Sequence, residues 1–314
     1  MKSVKITLFL LIFFSLQSCG GEDIETIIPE YNQDNRPSDS NTGQNENPSD
    51  DTPNKTLKIL AIGNSFTEDG IAYLPSLVKK AGIENVTIAK MVVGGASLQY
   101  HYTHAINDDP VYNFSVSTDG NFKSQGKKKF SDCFLFESWD YIILQQVSQY
   151  SGMYDTYQPY LNNLINIIRR YHPQAIVGWQ MTWAYSSTSS HSGFKNYGRS
   201  QTMMYESILN AVSQMKTETG ISVVIPTGMV IQELRGTSIC NNLELTRDGY
   251  HLDLGAGRYA AACTWFGTLI HPFFNISIVD NPYRVNKGNI PVTDDVAILC
   301  QKISESVVKN YYGN

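Results

Sequence analysis

The chain has 314 residues, 42% of them hydrophobic, and a formal net charge of −5. That length allows one or two domains with a sizeable core. Residues 20–56 carry −7 and the two lysines of the first nineteen residues +2, so residues 57–314 are formally neutral. A neutral folded part excludes nucleic acid and strongly anionic polymers as partners recruited by global charge.

Lys2 and Lys5 precede an apolar run from Ile6 to Leu16, followed by Gln17-Ser18-Cys19. A basic start, a short apolar core and small residues read as a secretory signal, too short to span a bilayer as a helix. Its ending resembles a bacterial lipobox, with Cys19 as the lipidated residue and the membrane as partner through that anchor. Ordinary cleavage near a chance cysteine is the plainer alternative. Residues 20–56 are rich in Asn, Asp, Pro, Ser, Thr and Gly. Such a segment cannot bury enough apolar surface to fold, and it reads as a disordered acidic tether with a reach of about 30–35 Å. Glu22, Asp23 and Glu25, just after Cys19, resemble the surface-export signal of some Gram-negative lipoproteins. The expected location is therefore the outer face of an outer membrane.

Residues 57–314 read as one α/β domain. Leu57-Lys58-Ile59-Leu60-Ala61-Ile62 ends abruptly in Gly63-Asn64-Ser65, the pattern of a buried parallel strand reaching a tight turn. Further strands are expected at Val86–Val93, Tyr141–Leu144, Ala175–Trp179 and Ile221–Ile225. Helices are expected at Ala72–Gly82, Ser97–Ile106, Tyr157–Tyr171, Phe194–Thr219, Leu254–Ile270 and Asp294–Tyr311. Residues 111–131 alternate loosely around Asp119-Gly120 and read as a hairpin inserted between core elements. Strands alternating with helices imply a mainly parallel five-stranded sheet covered on both faces.

Ligand sites in such sheets lie beyond the carboxyl ends of the strands, which is where Ser65 falls. A serine there is either a helix N-cap or a nucleophile. The nucleophile reading gains from Asp248-Gly249-Tyr250-His251 downstream. His251 would take the Ser65 proton and Asp248 would fix the tautomer of the ring. An oxyanion needs donors already in place, and the candidates are the backbone N–H of Ser65, that of Gly95 and a side-chain amide after the third strand.

At these residues the chain resembles the SGNH (GDSL-like) hydrolase superfamily. Gly63-Asn64-Ser65 stands where that family has Gly-Asp-Ser, Gly95 matches its second-block glycine, and Asp248 with His251 matches its terminal Asp-x-x-His. The features GNSF, GG-S, LQQ-S, TWAY and TRDG-H look most like a branch found in exported bacterial lipoproteins. The resemblance implies a flavodoxin-like three-layer α/β/α sandwich and ester hydrolysis with no metal or cofactor. The third block departs from the family. Its asparagine is missing from Leu144-Gln145-Gln146-Val147-Ser148-Gln149, and Gln146, or alternatively Gln149, is the candidate amide.

Trp183 and Tyr185 could line a sugar-binding cleft or be ordinary packing. His101 and His104 stand three residues apart with no third ligand evident, which favours structural or surface roles. Arg258 could meet an anionic group, although a place on the helix surface fits it better. Cys263 and Cys300 are expected to be buried, and the spacing of Cys133, Cys240, Cys263 and Cys300 assigns no bridge. The sequence reading is thus a surface lipoprotein esterase acting on an acylated carbohydrate or other small ester. Its rivals are a lipase- or thioesterase-like enzyme and a non-catalytic glycan-binding lipoprotein. No protein partner can be named from sequence.

Overall fold

The computed structural model describes residues 55–240 and 243–313. The signal, most of the tether and Cys19 lie outside the described residues. The strands are β1 (Leu57–Gly63), β2 (Val86–Val92), β3 (Tyr112–Ser117), β4 (Lys123–Lys128), β5 (Tyr141–Leu144), β6 (Ile176–Gln180) and β7 (Val223–Ile225). They form one sheet in the order β4-β3-β2-β1-β5-β6-β7.

The five strands β2, β1, β5, β6 and β7 are all parallel, with β1 between β2 and β5. This is the five-stranded parallel sheet expected from the sequence. The hairpin adds the other two strands: β3 pairs antiparallel with β2, and β4 with β3. The expected insertion therefore extends the sheet at one edge. β4 reads Lys-Ser-Gln-Gly-Lys-Lys and is almost wholly exposed, and lysines on an edge strand discourage pairing with another chain.

β1 runs through the middle of the core, with Leu57, Ile59, Leu60, Ala61 and Ile62 all at most 1% exposed. A strand covered on both faces needs such a continuous apolar run. The helices α1 (Ser65–Ile71), α2 (Leu74–Lys80), α7 (Thr227–Arg235) and α10 (Asp294–Tyr312) pack against α8 (Ala256–Trp265). α3 (Leu98–Asn107) packs against α5 (Tyr160–Tyr171), which buries Leu161, Leu164, Ile165 and Ile168 at helical spacing. The short α4 (Phe130–Phe134) follows the hairpin, and the long α6 (Gln201–Thr219) starts at an N-cap, Ser200. The result is a three-layer α/β/α sandwich.

α8 is buried along nearly its whole length, which its alanines permit at close range. It continues through a π-helical turn, Phe266–Ile270, into α9 (His271–Phe274). All four described cysteines are free; Cys263 and Cys300 are buried, as their positions in apolar helices imply.

β1 joins β2 on one side while the later strands add on the other, so the chain changes direction beside the end of β1. Open α/β sheets bind ligands at such a point. No described helix is long and apolar enough to cross a membrane.

Candidate active site

The turn after β1 is shaped by Asn64. Its backbone is extended, and its Oδ1 caps α1 by accepting the N–H of Phe66. The cap is thus Asn64, and Ser65 is the first helical residue, with its hydroxyl left for another partner. That partner is His251, whose Nε2 lies 2.8 Å from Ser65 Oγ. The other ring nitrogen, Nδ1, lies 2.7 Å from Asp248 Oδ2.

Asp248 Oδ1 accepts the backbone N–H groups of Tyr250 and His251 at 3.1 and 2.8 Å. Burial works against the charge on Asp248. The hydrogen bonds from the His251 ring and from the two backbone N–H groups outweigh it and hold the carboxyl below its usual range. A carboxylate facing Nδ1 puts the ring proton there and leaves the Nε2 lone pair toward the serine hydroxyl. Gly249, between them, has φ +88°, a left-handed turn that lets Asp248 and His251 face one way.

The backbone donors near Ser65 without an acceptor among the described residues include its own N–H and that of Gly95. Gly95 is exposed, with φ +68° and open space where a Cβ would project. The Gly95 turn is tied to the serine turn by Val93 N–H to Gly63 O (3.0 Å) and Asn64 Nδ2 to Ala96 O (2.9 Å).

Gln146 does not serve as the third donor. Its amide nitrogen donates to the carbonyl and hydroxyl of Thr156, while Oε1 accepts the N–H groups of Leu98 and Val147. The side chain is 1% exposed and braces the start of α3 against the end of β5. Gln149 packs against Gly193 and makes no side-chain hydrogen bond within the described residues.

The neighbouring glutamine is more informative. Trp265 Nε1 donates to Gln180, Gln180 to Gln145, Gln145 to Asn64 and Asn64 to Ala96 O, each at 2.8–3.0 Å. This buried chain crosses the ends of β6, β5 and β1. The sequence marks Gln145 and Gln180 only as polar residues closing apolar runs.

Beneath the histidine lies an ion-pair cluster that the sequence reading missed. Asp69 is four residues after Ser65, and its side chain is 1% exposed. It accepts from Arg247 at 3.0 Å, from Arg258 at 2.6 Å and from the backbone N–H of Leu252 at 2.8 Å. Arg247 also donates to Leu252 O. Arg258 therefore meets an anion of the protein itself. The available signal was a carboxylate on the same short helix that buries Phe66 and Ile71.

Trp183 and Tyr185 do not line an open cleft, because both are 0% exposed. Trp183 stacks on Phe66 with centroids 4.3 Å apart, and its indole N–H donates to Tyr250 O at 2.7 Å. The Tyr185 hydroxyl bonds to Ser148 Oγ at 2.7 Å. Burial raises the Tyr185 phenol, with the Ser148 bond opposing. The half-buried aromatics beside the site are instead Tyr250 and His191.

His101 is buried against Tyr112, and burial lowers its pKa to about 3. His104 faces Asp109 at 2.7 Å. No metal-binding cluster of His, Cys, Asp and Glu occurs among the described residues. A cavity of about 560 Å³ lies near the starts of β5 and β7, lined by Tyr141, Val223, His271 and Lys309 among others. It is at the opposite end of the sheet from Ser65.

No curated protein sequence matches the chain significantly. Among solved structures, a DUF4886 family protein from Bacteroides uniformis is 36% identical with a TM-score of 0.74, covering 82% of this chain and 96% of that one. A proposed SGNH hydrolase from Slackia heliotrinireducens is 19% identical, with a TM-score of 0.47 and coverage of 68% and 99%. An acetylxylan esterase mutant from Geobacillus stearothermophilus is 13% identical, with a TM-score of 0.44 and coverage of 68% and 94%. The last two are likenesses of fold alone, and folds host many chemistries. The model of a domain of unknown function, DUF4886, matches residues 58–297, and the chain belongs to that family.

Proposed function

We propose that the chain is a serine esterase that removes acyl groups, O-acetyl above all, from carbohydrate. The observation that carries the reading is the hydrogen-bonded series Ser65 Oγ, His251 and Asp248, with distances of 2.8 and 2.7 Å. Ser65 Oγ attacks the ester carbonyl as its proton passes to His251 Nε2. Asp248 stabilises the imidazolium that forms. Negative charge on the carbonyl oxygen meets the unclaimed N–H groups of Ser65 and Gly95. His251 returns the proton to the departing alcohol, and water then releases the acyl group by the same steps.

A carbohydrate ester is favoured over a long-chain one by the polar loop Ser186–Gly193 beside the site and by the signal and tether of an exported lipoprotein, anchored at Cys19 and displayed at the cell surface. The commitment of Gln146 to Thr156 favours the rival reading, a glycan-binding protein without activity. The aligned serine, histidine and aspartate outweigh it, since binding alone requires no such series.

The test is hydrolysis of p-nitrophenyl acetate and butyrate by the full chain beside Ser65→Ala, with labelling by a fluorophosphonate probe. Labelling at Ser65 and acetate turnover that vanishes in the variant are expected. An unlabelled protein with background rates equal to the variant's would overturn the esterase reading and leave the binding protein.

A further inference from the structure

The alcohol half of the ester must sit where His251 can reach it, because Nε2 hands its proton to the departing oxygen. The His251 ring has two aromatic neighbours. Phe66 is 5.9 Å away and 1% exposed. Tyr250 is 4.2 Å away and half-buried. Beyond Tyr250 stands His191, edge to face at 4.8 Å and also half-buried. The open wall beside the base is therefore Tyr250 and His191.

Both side chains carry a polar atom that the described residues leave unused. Among the described residues the Tyr250 hydroxyl has no partner, and neither it nor His191 Nε2 is closed off from solvent. His191 Nδ1 accepts the N–H of Gly193 at 3.0 Å, so the neutral ring carries its proton on Nε2. Burial lowers the His191 pKa, and the nearby His251 lowers it further against the opposing pull of Asp248, which favours that neutral form.

The wall is built rather than incidental. Ser186 N–H donates to Gly249 O at 2.8 Å, and Trp183 Nε1 donates to Tyr250 O at 2.7 Å. Ser189 packs so close to Gly249 that a Cβ there would meet its Cα at 2.9 Å. Ser189 Oγ in turn accepts the N–H of His191 at 3.3 Å. The loop that carries His191 is thus docked on the turn that carries Asp248 and His251. A preorganised subsite binds without a large ordering cost.

We infer that Tyr250 and His191 form the leaving-group subsite, which selects alcohols bearing further hydroxyl groups on a ring with an apolar face, as in a sugar. The Tyr250 ring supplies the flat surface. Its hydroxyl can give or take a hydrogen bond, and His191 Nε2–H gives one. This rests on the esterase reading above and adds which residues choose the alcohol.

The experiment compares two acetate esters, a monoacetylated methyl glycoside and ethyl acetate, by acetate release from the full chain. The acyl group is the same, so the ratio of the two kcat/KM values reports on the alcohol alone. The wild type is expected to prefer the glycoside. Tyr250→Phe and His191→Phe keep an aromatic ring, and each is expected to lower the preference about tenfold, the scale of one hydrogen bond of about 1.4 kcal/mol. A role in packing only would slow both substrates together and leave the ratio where it was, which overturns the subsite. A wild type without preference overturns it as well. Ser65-dependent hydrolysis of p-nitrophenyl acetate in the same preparations separates these outcomes from failure of the esterase reading, in which no substrate is turned over.

Discussion

Arg258 on α8 reaches the Asp69 carboxylate of α1 at 2.6 Å. Arg247 meets the same carboxylate from the strand-like segment leading to Asp248. One buried anion thereby joins the helix of the nucleophile, the turn of the base and the buried helix α8. The Leu252 N–H, one residue after His251, completes the set.

Asp69→Asn keeps the shape and removes the charge. Two guanidinium groups then share one amide oxygen with no counter-charge, and breaking a largely buried pair on one side costs about 3 kcal/mol. The expected result is a lower urea midpoint with an unchanged slope. kcat on p-nitrophenyl acetate is expected to fall with it, because the backbone beside His251 loses its anchor.

Asp248→Asn tests the other end of the series. The amide can offer Nδ1 an N–H, which favours the wrong tautomer and removes the lone pair from Nε2. A fall in kcat of about 10²–10⁴-fold is expected, with KM little changed. The carboxylate is 38% exposed, so its contribution to stability is screened and the urea midpoint is expected to stay close to that of the wild type. An intact kcat would mean that His251 is oriented by something else.

Gln146→Ala separates a brace from an oxyanion donor. Removing an oxyanion donor costs about 10²–10³ in kcat. Gln146 instead satisfies Leu98 N–H, Val147 N–H and Thr156. Its loss leaves buried groups unpaired at about 2–3 kcal/mol. Thermal unfolding is expected to shift down, while kcat measured well below the transition changes less than tenfold.

His101 gives the fold an acid sensitivity. Its folded pKa is lowered to about 3, so the folded protein stays neutral there. The unfolded chain takes up that proton below about 6.5. The contribution to stability is therefore present above pH 6.5 and is lost as pH falls toward 3, at about 1.4 kcal/mol per pH unit. His101→Phe retains the packing against Tyr112 and removes this dependence. Urea midpoints measured between pH 7 and pH 4 are expected to fall less steeply in the variant.

The sheet was legible in the sequence because the core strands are short, mostly apolar runs, three of them stopped by glycine or by a pair of glutamines. Ser65, Asp248 and His251 were legible because their order and spacing fit one chemistry. What the sequence hid was partner choice. Gln145 and Gln146 are adjacent and chemically identical, yet one joins the amide chain and the other turns to Thr156, since successive residues leave a strand on opposite sides. Trp183 and Tyr185, after a strand end, could be cleft walls or packing, and Phe66 and Ser148 draw them inward. The helix expected at Ala72–Gly82 is α2, Leu74–Lys80, set off from α1 at Tyr73, whose hydroxyl reaches Leu254 O. α7 was missed, although Val230, Ile231 and Leu234 are spaced for it.

The buried amide chain also has a direction. It begins at an indole N–H, which can only give, and ends at the Ala96 carbonyl, which can only receive. Every amide between them must point the same way, and flipping one would set two donors or two acceptors face to face. The orientation of Asn64, and with it the cap of the serine helix, is thus dictated from α8, three hydrogen bonds away. Gln145, Gln180 and Asn64 form one directed series, and replacing any single member interrupts it, although Gln180 keeps its bond to Phe66 O and Asn64 its bond from the Phe66 N–H when Gln145 is lost. A sequence that changes this turn is better served by changing the set together.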